Sequence, residues 1–194
     1  MEMNEEHTIA KSLSEIILPL PQEEVEVLAS ILKRKEVYKG ETLLSEGNVG
    51  KDLFYVHLGL LRQYYFKDGR DITEHFISEK EMALCIISTF RQEPTKLIVE
   101  ALENGVIYLI PYLRLIEISE KYTLLATFHR RLLELSLIMS QEKADSWRFE
   151  TARERYNRFL VEFPEAAKRA SINHIASYLL MTPESLSRVR AGAL

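Results

Sequence analysis

Residues Ile175 to Arg190 read IASYLLMTPESLSRVR, and their second half carries the side chains needed to meet DNA. Thr182, Glu184, Ser185, Ser187, Arg188 and Arg190 would share the outer face of one short helix, a set able to contact base edges and phosphates. Ile175, Leu179, Met181, Leu186 and Val189 have the spacing that lets two short helices face one another, with small Ala176 at their closest approach. The second helix is well marked. Thr182 can cap it, Pro183 suits its first position because no N–H is needed there, and Glu184 complements the positive end of its dipole. Paired amphipathic helices also occur in folds that never touch nucleic acid, so the spacing alone leaves both readings open. One residue departs from the usual pattern. Leu180 stands in the turn where a left-handed glycine is common, at a cost of roughly 1 kcal/mol if that conformation is kept. The expectation is a distorted turn, or strain offset by packing of Leu180.

The elements that must position this stretch divide the chain by character. Leu13 to Leu32 reads as short helices interrupted by Pro19 and Pro21. From Val37 to Pro111 the segments VYKGETLL, DLFYVHLGLLRQYYF, ITEHFI, KLIVEAL and VIYLIP are rich in β-branched and aromatic residues and punctuated by glycine turns. Asp68-Gly69 between two such runs predicts a tight hairpin. EMALCIISTFR suits a short helix and a strand about equally. After Tyr112 the pattern is helical, and Leu125, Phe128, Leu132, Leu135 and Met139 alternate spacings of three and four, as in a dimeric coiled-coil seam. A helix packed on its own β domain would also use such residues, since Leu124, Leu133, Leu137 and Ile138 add apolar surface elsewhere. A break is expected between Arg148 and Thr151, and another at Pro164.

Composition bounds the function. The 194 residues are 46% hydrophobic and 28% charged, the profile of an ordinary globular protein, and no apolar run reaches the roughly 20 residues that span a bilayer. The acidic opening MEMNEEHTIAKSL lacks the features of a secretory signal, so the expected location is cytoplasmic. The net charge of −4 is uneven: from Arg148 to Leu194 eight Lys or Arg face five Asp or Glu. A positive field therefore lies beside the reading helix. Cys85 is alone, which excludes an intrachain disulfide and argues against a cysteine-held cluster or zinc site. Its apolar neighbours Leu84, Ile86 and Ile87 indicate an inert buried thiol. His7, His57, His75, His129 and His174 show no ligand spacing, so no metal and no cofactor is expected.

GETLLSEGNVGKDLFYVHLGLLRQYYFKDGRDITEHF, then ERYNRFLVEFP, then IASYLLMTPESLSR together resemble the Crp/Fnr family of bacterial transcription regulators. The last two segments are similar to a subgroup common in Bacteroides-like bacteria. The resemblance implies an α+β chain: an N-terminal antiparallel β-roll (double-stranded β-helix) sensor domain over residues 1–120, a dimerisation helix over 121–147, and an all-α helix-turn-helix domain over 148–194. It implies a non-enzymatic homodimer on a palindromic DNA site, with RNA polymerase as a further partner and no membrane. Glu184 and Arg188 match positions that read bases in the family. With few residues after Arg190, contacts from the family's usual β wing are not expected.

The family's effector is often a cyclic nucleotide, whose phosphate is held by glycine N–H groups and an arginine. Here the matching stretch SEKEMALCIISTFRQEPTKLIVEAL has no glycine, and Pro94 falls where the arginine is expected, leaving Thr95. The expectation is weak or no binding of cyclic AMP and an effector of unknown identity. Phe76, Met82, Cys85, Phe90, Arg91 and Thr95 are the candidates to line its pocket, and core packing is the competing reading. Two other functions remain: a ligand-sensing roll that works through protein partners, and a cupin-like metalloenzyme, for which His57, His75 and Glu74 are a sparse ligand set.

Overall fold

The computed structural model describes residues 5–192 and has the α+β architecture expected. Helices α1 (Glu5–Ile17) and α2 (Gln22–Ala29) lead in, separated at the two prolines. Eight strands follow: β1 (Lys33–Val37), β2 (Thr42–Leu44), β3 (Asp52–Leu58), β4 (Leu61–Lys67), β5 (Arg70–Ile77), β6 (Met82–Ala83), β7 (Ile98–Ala101) and β8 (Gly105–Pro111). They form two antiparallel four-stranded sheets, in the orders β1-β8-β3-β6 and β2-β7-β4-β5. Between them lies a core of Val37, Phe54, Val56, Leu61, Ile77, Val99 and Ile107. β1 starts earlier than its composition indicates, in the charged run KRKEV, because pairing with β8 decides it.

Asp68-Gly69 makes the tight hairpin, both residues having positive φ (52° and 75°) as a two-residue turn of that twist requires. The long run DLFYVHLGLLRQYYF is broken into β3 and β4 at Gly59. A Cβ on the facing Gly105 would stand 2.1 Å from the Leu58 carbonyl oxygen, so only glycine fits that crossing. EMALCIISTFR is both strand and helix: β6, then α3 (Ile86–Arg91).

Helix α4 (Tyr112–Ser119) leads to α5 (Thr123–Phe149), whose first half covers the outer face of one sheet. No side chain of its own caps α5; instead the Leu125 N–H donates to the Glu24 carboxylate of α2 at 2.6 Å. The helix ends at Glu150, which is extended, and α6 (Ala152–Glu162) begins at once with a capping box between Thr151 and Glu154. Three short helices complete the fold: α7 (Pro164–Arg169), α8 (Ile172–Tyr178) and α9 (Pro183–Arg190).

The five residues expected to form one seam on α5 divide in two. Leu125, Phe128 and Leu132 are buried within their own chain, packed with α1, α2 and α4, while Leu135 and Met139 are exposed. Leu124, Leu137 and Ile138 are exposed as well. The first half of the helix thus serves the core of its own roll, as the competing reading had it.

Candidate functional site

The helix-turn-helix is built by local rules. Ser171 caps α8 by accepting from the His174 N–H at 3.2 Å, and Thr182 caps α9 by accepting from the Ser185 N–H at 3.2 Å. Between them Leu180 keeps the left-handed conformation, at φ 54°. Its N–H donates to the Ser177 carbonyl at 3.2 Å, and the Met181 N–H to the Ala176 carbonyl at 2.9 Å, the two bonds that close a Schellman turn. The turn is regular, not distorted. Leu180 is 52% exposed, so its strain is met by those bonds and not by burial of its side chain.

Leu186 and Val189 turn inward, and Leu186 packs with Ile175, Ala176 and Leu179 in a third core. Thr182, Glu184, Ser187, Arg188 and Arg190 are exposed on the other side. Ser185 is half-buried, and its hydroxyl is bonded to that of Thr182 at 3.2 Å, so it serves the cap. The Glu184 carboxyl is held below the usual carboxylate range by its own N–H and then by the Thr182 hydroxyl.

This helical unit is docked on the roll. Phe76 of β5 is fully buried in a cluster with Phe159, Phe163 and Tyr178, at ring separations of 6.0, 6.4 and 5.7 Å. Ser177 of α8 donates to the Thr73 hydroxyl at 2.8 Å and accepts from the Thr73 N–H at 3.1 Å. Arg169 reaches Glu79 at 2.7 Å and Glu103 at 2.6 Å, and Glu79 also accepts from the Gly59 N–H. The guanidinium, above all, holds the Glu79 carboxyl down at about 2.

The six candidate effector-pocket residues are not brought to one place. Phe76 belongs to the docking cluster, and Met82 lines a cavity between β5, β6 and α5. Cys85 and Thr95 are buried inside the roll, where burial pushes the Cys85 thiol up to about 11 and the Thr95 hydroxyl accepts from the Leu97 N–H at 2.8 Å. Phe90 packs against Tyr112 in a tilted pair at 5.3 Å, and Arg91 is exposed. The loop that matches the nucleotide cassette is bonded within itself and to the turn that precedes β3. The Gly50 N–H donates to the Ser88 hydroxyl at 2.8 Å, Ser88 donates to the Glu93 carbonyl, and Val49 bridges to Pro94.

A cavity of about 320 Å³ lies where β5, β6, α5 and the C-terminal helices meet. Lys143 of α5 crosses it, paired with the Glu74 carboxylate at 2.7 Å and bonded to the Glu74 carbonyl. The same ammonium lies 4.8 Å from the centre of the Trp147 ring and 5.4 Å from that of Tyr178. Burial, and then the Lys143 charge, press the neighbouring His75 down to about 4, so its imidazole is neutral. Burial also raises the Tyr178 hydroxyl, which keeps its proton. The roles of Arg169, Ser177 and Lys143 carry no local signal in the sequence, because each acts on a residue at least 66 positions away. Among the described residues no group of three or more His, Cys, Asp or Glu is placed to hold a metal, and His57 and His75 lie in different sheets. No helix among them is long and apolar enough to cross a membrane.

The cyclic nucleotide-binding domain family matches residues 34–122. Transcriptional activator protein FnrA of Stutzerimonas stutzeri is 30% identical over 200 residues, covering 92% of this chain and 78% of that protein. Transcriptional activator protein anr of Pseudomonas aeruginosa is 31% identical, with 92% and 78% covered. The same fold occurs in FixK2 from Bradyrhizobium japonicum, at a TM-score of 0.70, 19% identity and 84% of each chain covered. It also occurs in the catabolite activator protein of Thermus thermophilus, at a TM-score of 0.58, 20% identity, and 93% of this chain and 85% of that one covered.

Proposed function

The chain belongs to the Crp/Fnr family of transcription regulators, and on that premise we propose that it is a homodimer that binds a palindromic DNA site by inserting α9 into the major groove. The observation that carries this reading is the open face of α9, where Glu184, Ser187, Arg188 and Arg190 are exposed while Leu186 and Val189 anchor the helix from behind. Arg188 pairs with guanine and Glu184 accepts from cytosine N4, each worth roughly 1–3 kcal/mol of discrimination. Thr182, Ser187 and Arg190 hold phosphates, and Ser185 contributes through the cap.

Two such helices would stand about 34 Å apart, one turn of duplex, across a two-fold axis. The dimer contact that fits is the exposed stripe Leu124, Leu135 and Ile138, with Met139 at its edge, since Leu125, Phe128 and Leu132 are already used inside each chain. The protein works in the cytoplasm, with RNA polymerase as its partner on DNA and no catalytic step. Its terminal segments fit the subgroup common in Bacteroides-like bacteria. Its effector is a small molecule other than cyclic AMP, because Pro94 offers neither charge nor N–H and the Ser88 hydroxyl is already engaged by the Gly50 N–H and the Glu93 carbonyl.

Selection of bound duplexes from a random pool by the purified protein tests the reading. Enrichment of a palindrome with half-sites one helical turn apart supports it. Recovery of no common sequence overturns it in favour of a ligand-sensing roll that acts through protein partners.

A further inference from the structure

We propose that the cavity between β5, α5 and the C-terminal helices binds a small organic cation, an ammonium group on an apolar body; this rests on the reading of the chain as an effector-controlled regulator. The cavity takes Glu81, Met82, Ala83, Leu84 and Ile86 from the start of the cassette stretch, while farther along Ser88 accepts from the Gly50 N–H and Thr95 from the Leu97 N–H within the roll. Its floor is apolar and adaptable, made of Met82, Leu84, Ile86 and Met139, side chains that accept an irregular hydrocarbon body.

Charge decides the class of ligand. Glu74, Glu81, Glu142 and Glu162 line the cavity against only Lys143 and Arg158. Both cations are already matched: Lys143 by Glu74, and Arg158 by Glu162 at 2.7 Å and Glu150 at 3.0 Å. His75 adds no positive charge. The surplus is negative, carried by Glu81 and by exposed Glu142, so an anionic ligand meets repulsion and a cation meets attraction in a partly desolvated space. The aromatic wall acts in the same direction. Tyr178 lines the cavity, and its ring already meets an ammonium group, that of Lys143 at 5.4 Å from the ring centre.

Such a ligand would reach the DNA-binding unit directly. Phe163 and Tyr178 are walls of the cavity and also members of the cluster that docks the C-terminal helices on Phe76. Tyr178 ends α8, two residues before the Leu180 turn into α9. A molecule that contacts the two rings differently in docked and undocked states therefore shifts the balance between them.

Calorimetry of the full chain at pH 7.5 with three probes of one shape tests this: phenethylamine, 2-phenylethanol and 3-phenylpropionate. The ammonium should bind tightest and the carboxylate weakest, about tenfold apart. Met139→Trp, which fills the cavity, should abolish binding, and Glu142→Gln should weaken the amine while leaving the alcohol unchanged. A carboxylate that binds as tightly as the amine, the absence of binding by all three, or full amine binding by Met139→Trp overturns the proposal. No DNA is present in the assay, so failure here leaves the DNA-binding reading to its own selection experiment.

Discussion

Arg169 and Glu79 are 90 residues apart in the chain, yet they meet in a two-pronged ion pair at 2.7 and 3.0 Å that ties α7 to the turn after β5. Glu79 is itself fixed by the Gly59 N–H, and the same guanidinium reaches Glu103, so the clasp joins two loops of the roll to the C-terminal helices. Arg169→Ala should destabilise the protein by about 1–3 kcal/mol, the range for losing hydrogen bonds to charged groups. Urea unfolding measures it. A double-mutant cycle with Glu79→Gln should give a coupling well above the experimental error. Additive effects would show that the clasp does not hold the docking.

Leu180 is held at positive φ with its side chain in solvent. Leu180→Gly should therefore raise stability, by about 0.5–1 kcal/mol once the greater chain entropy of unfolded glycine offsets part of the relief. The measurement is again urea unfolding, and lower stability would show that the exposed leucine makes a contact worth more than the strain.

His75 supplies a pH signature. Its folded pKa of about 4 lies below the ordinary 6.5, so between those values the unfolded chain takes up more protons. Stability from this group is complete above pH 6.5 and is lost as pH falls towards 4, by up to roughly 3 kcal/mol. Glu79 acts lower: its contribution is complete above 4.5 and is lost as pH falls towards 2. His75→Leu should flatten the profile between pH 6.5 and 4 and leave the more acidic limb in place. An unchanged slope across pH 4 to 6.5 would assign it to other groups.

The two faces of α5 separate folding from the proposed dimer contact. Leu132→Ala removes a side chain from the core shared with α1, α2 and α4, and should cost about 2–5 kcal/mol in unfolding experiments. Ile138→Glu, on the exposed stripe, should leave the folded monomer intact and shift light scattering from dimer to monomer. A dimer that survives Ile138→Glu would place the contact on another face.

Much of this was legible in the sequence because it is local. The Asp68-Gly69 hairpin, the Thr182 cap with Pro183, the break at Glu150 and the inward turn of Leu186 all follow from neighbours within a few residues. What was not legible depends on distant partners. The spacing of Leu125, Phe128 and Leu132 is the same for a dimer seam as for a helix on its own roll, and only α1, α2 and α4 decide between them. The six pocket candidates scattered for a related reason: alignment to a cassette keeps their order, but Ser88 and Pro94 tie that loop to the distant Gly50 and Val49. Lys143 and Arg169 read as solvated surface charges until Glu74 and Glu79 are placed beside them.

Arg188→Ala gives the most direct test of sequence-specific reading by α9. Fluorescence anisotropy on the selected duplex and on a random duplex, at one fixed salt concentration, compares base readout with backbone attraction. The account predicts that the substitution weakens binding to the selected duplex by about 1–3 kcal/mol, roughly 5- to 150-fold, and to random DNA far less. Equal losses on the two duplexes, or none on either, would contradict it.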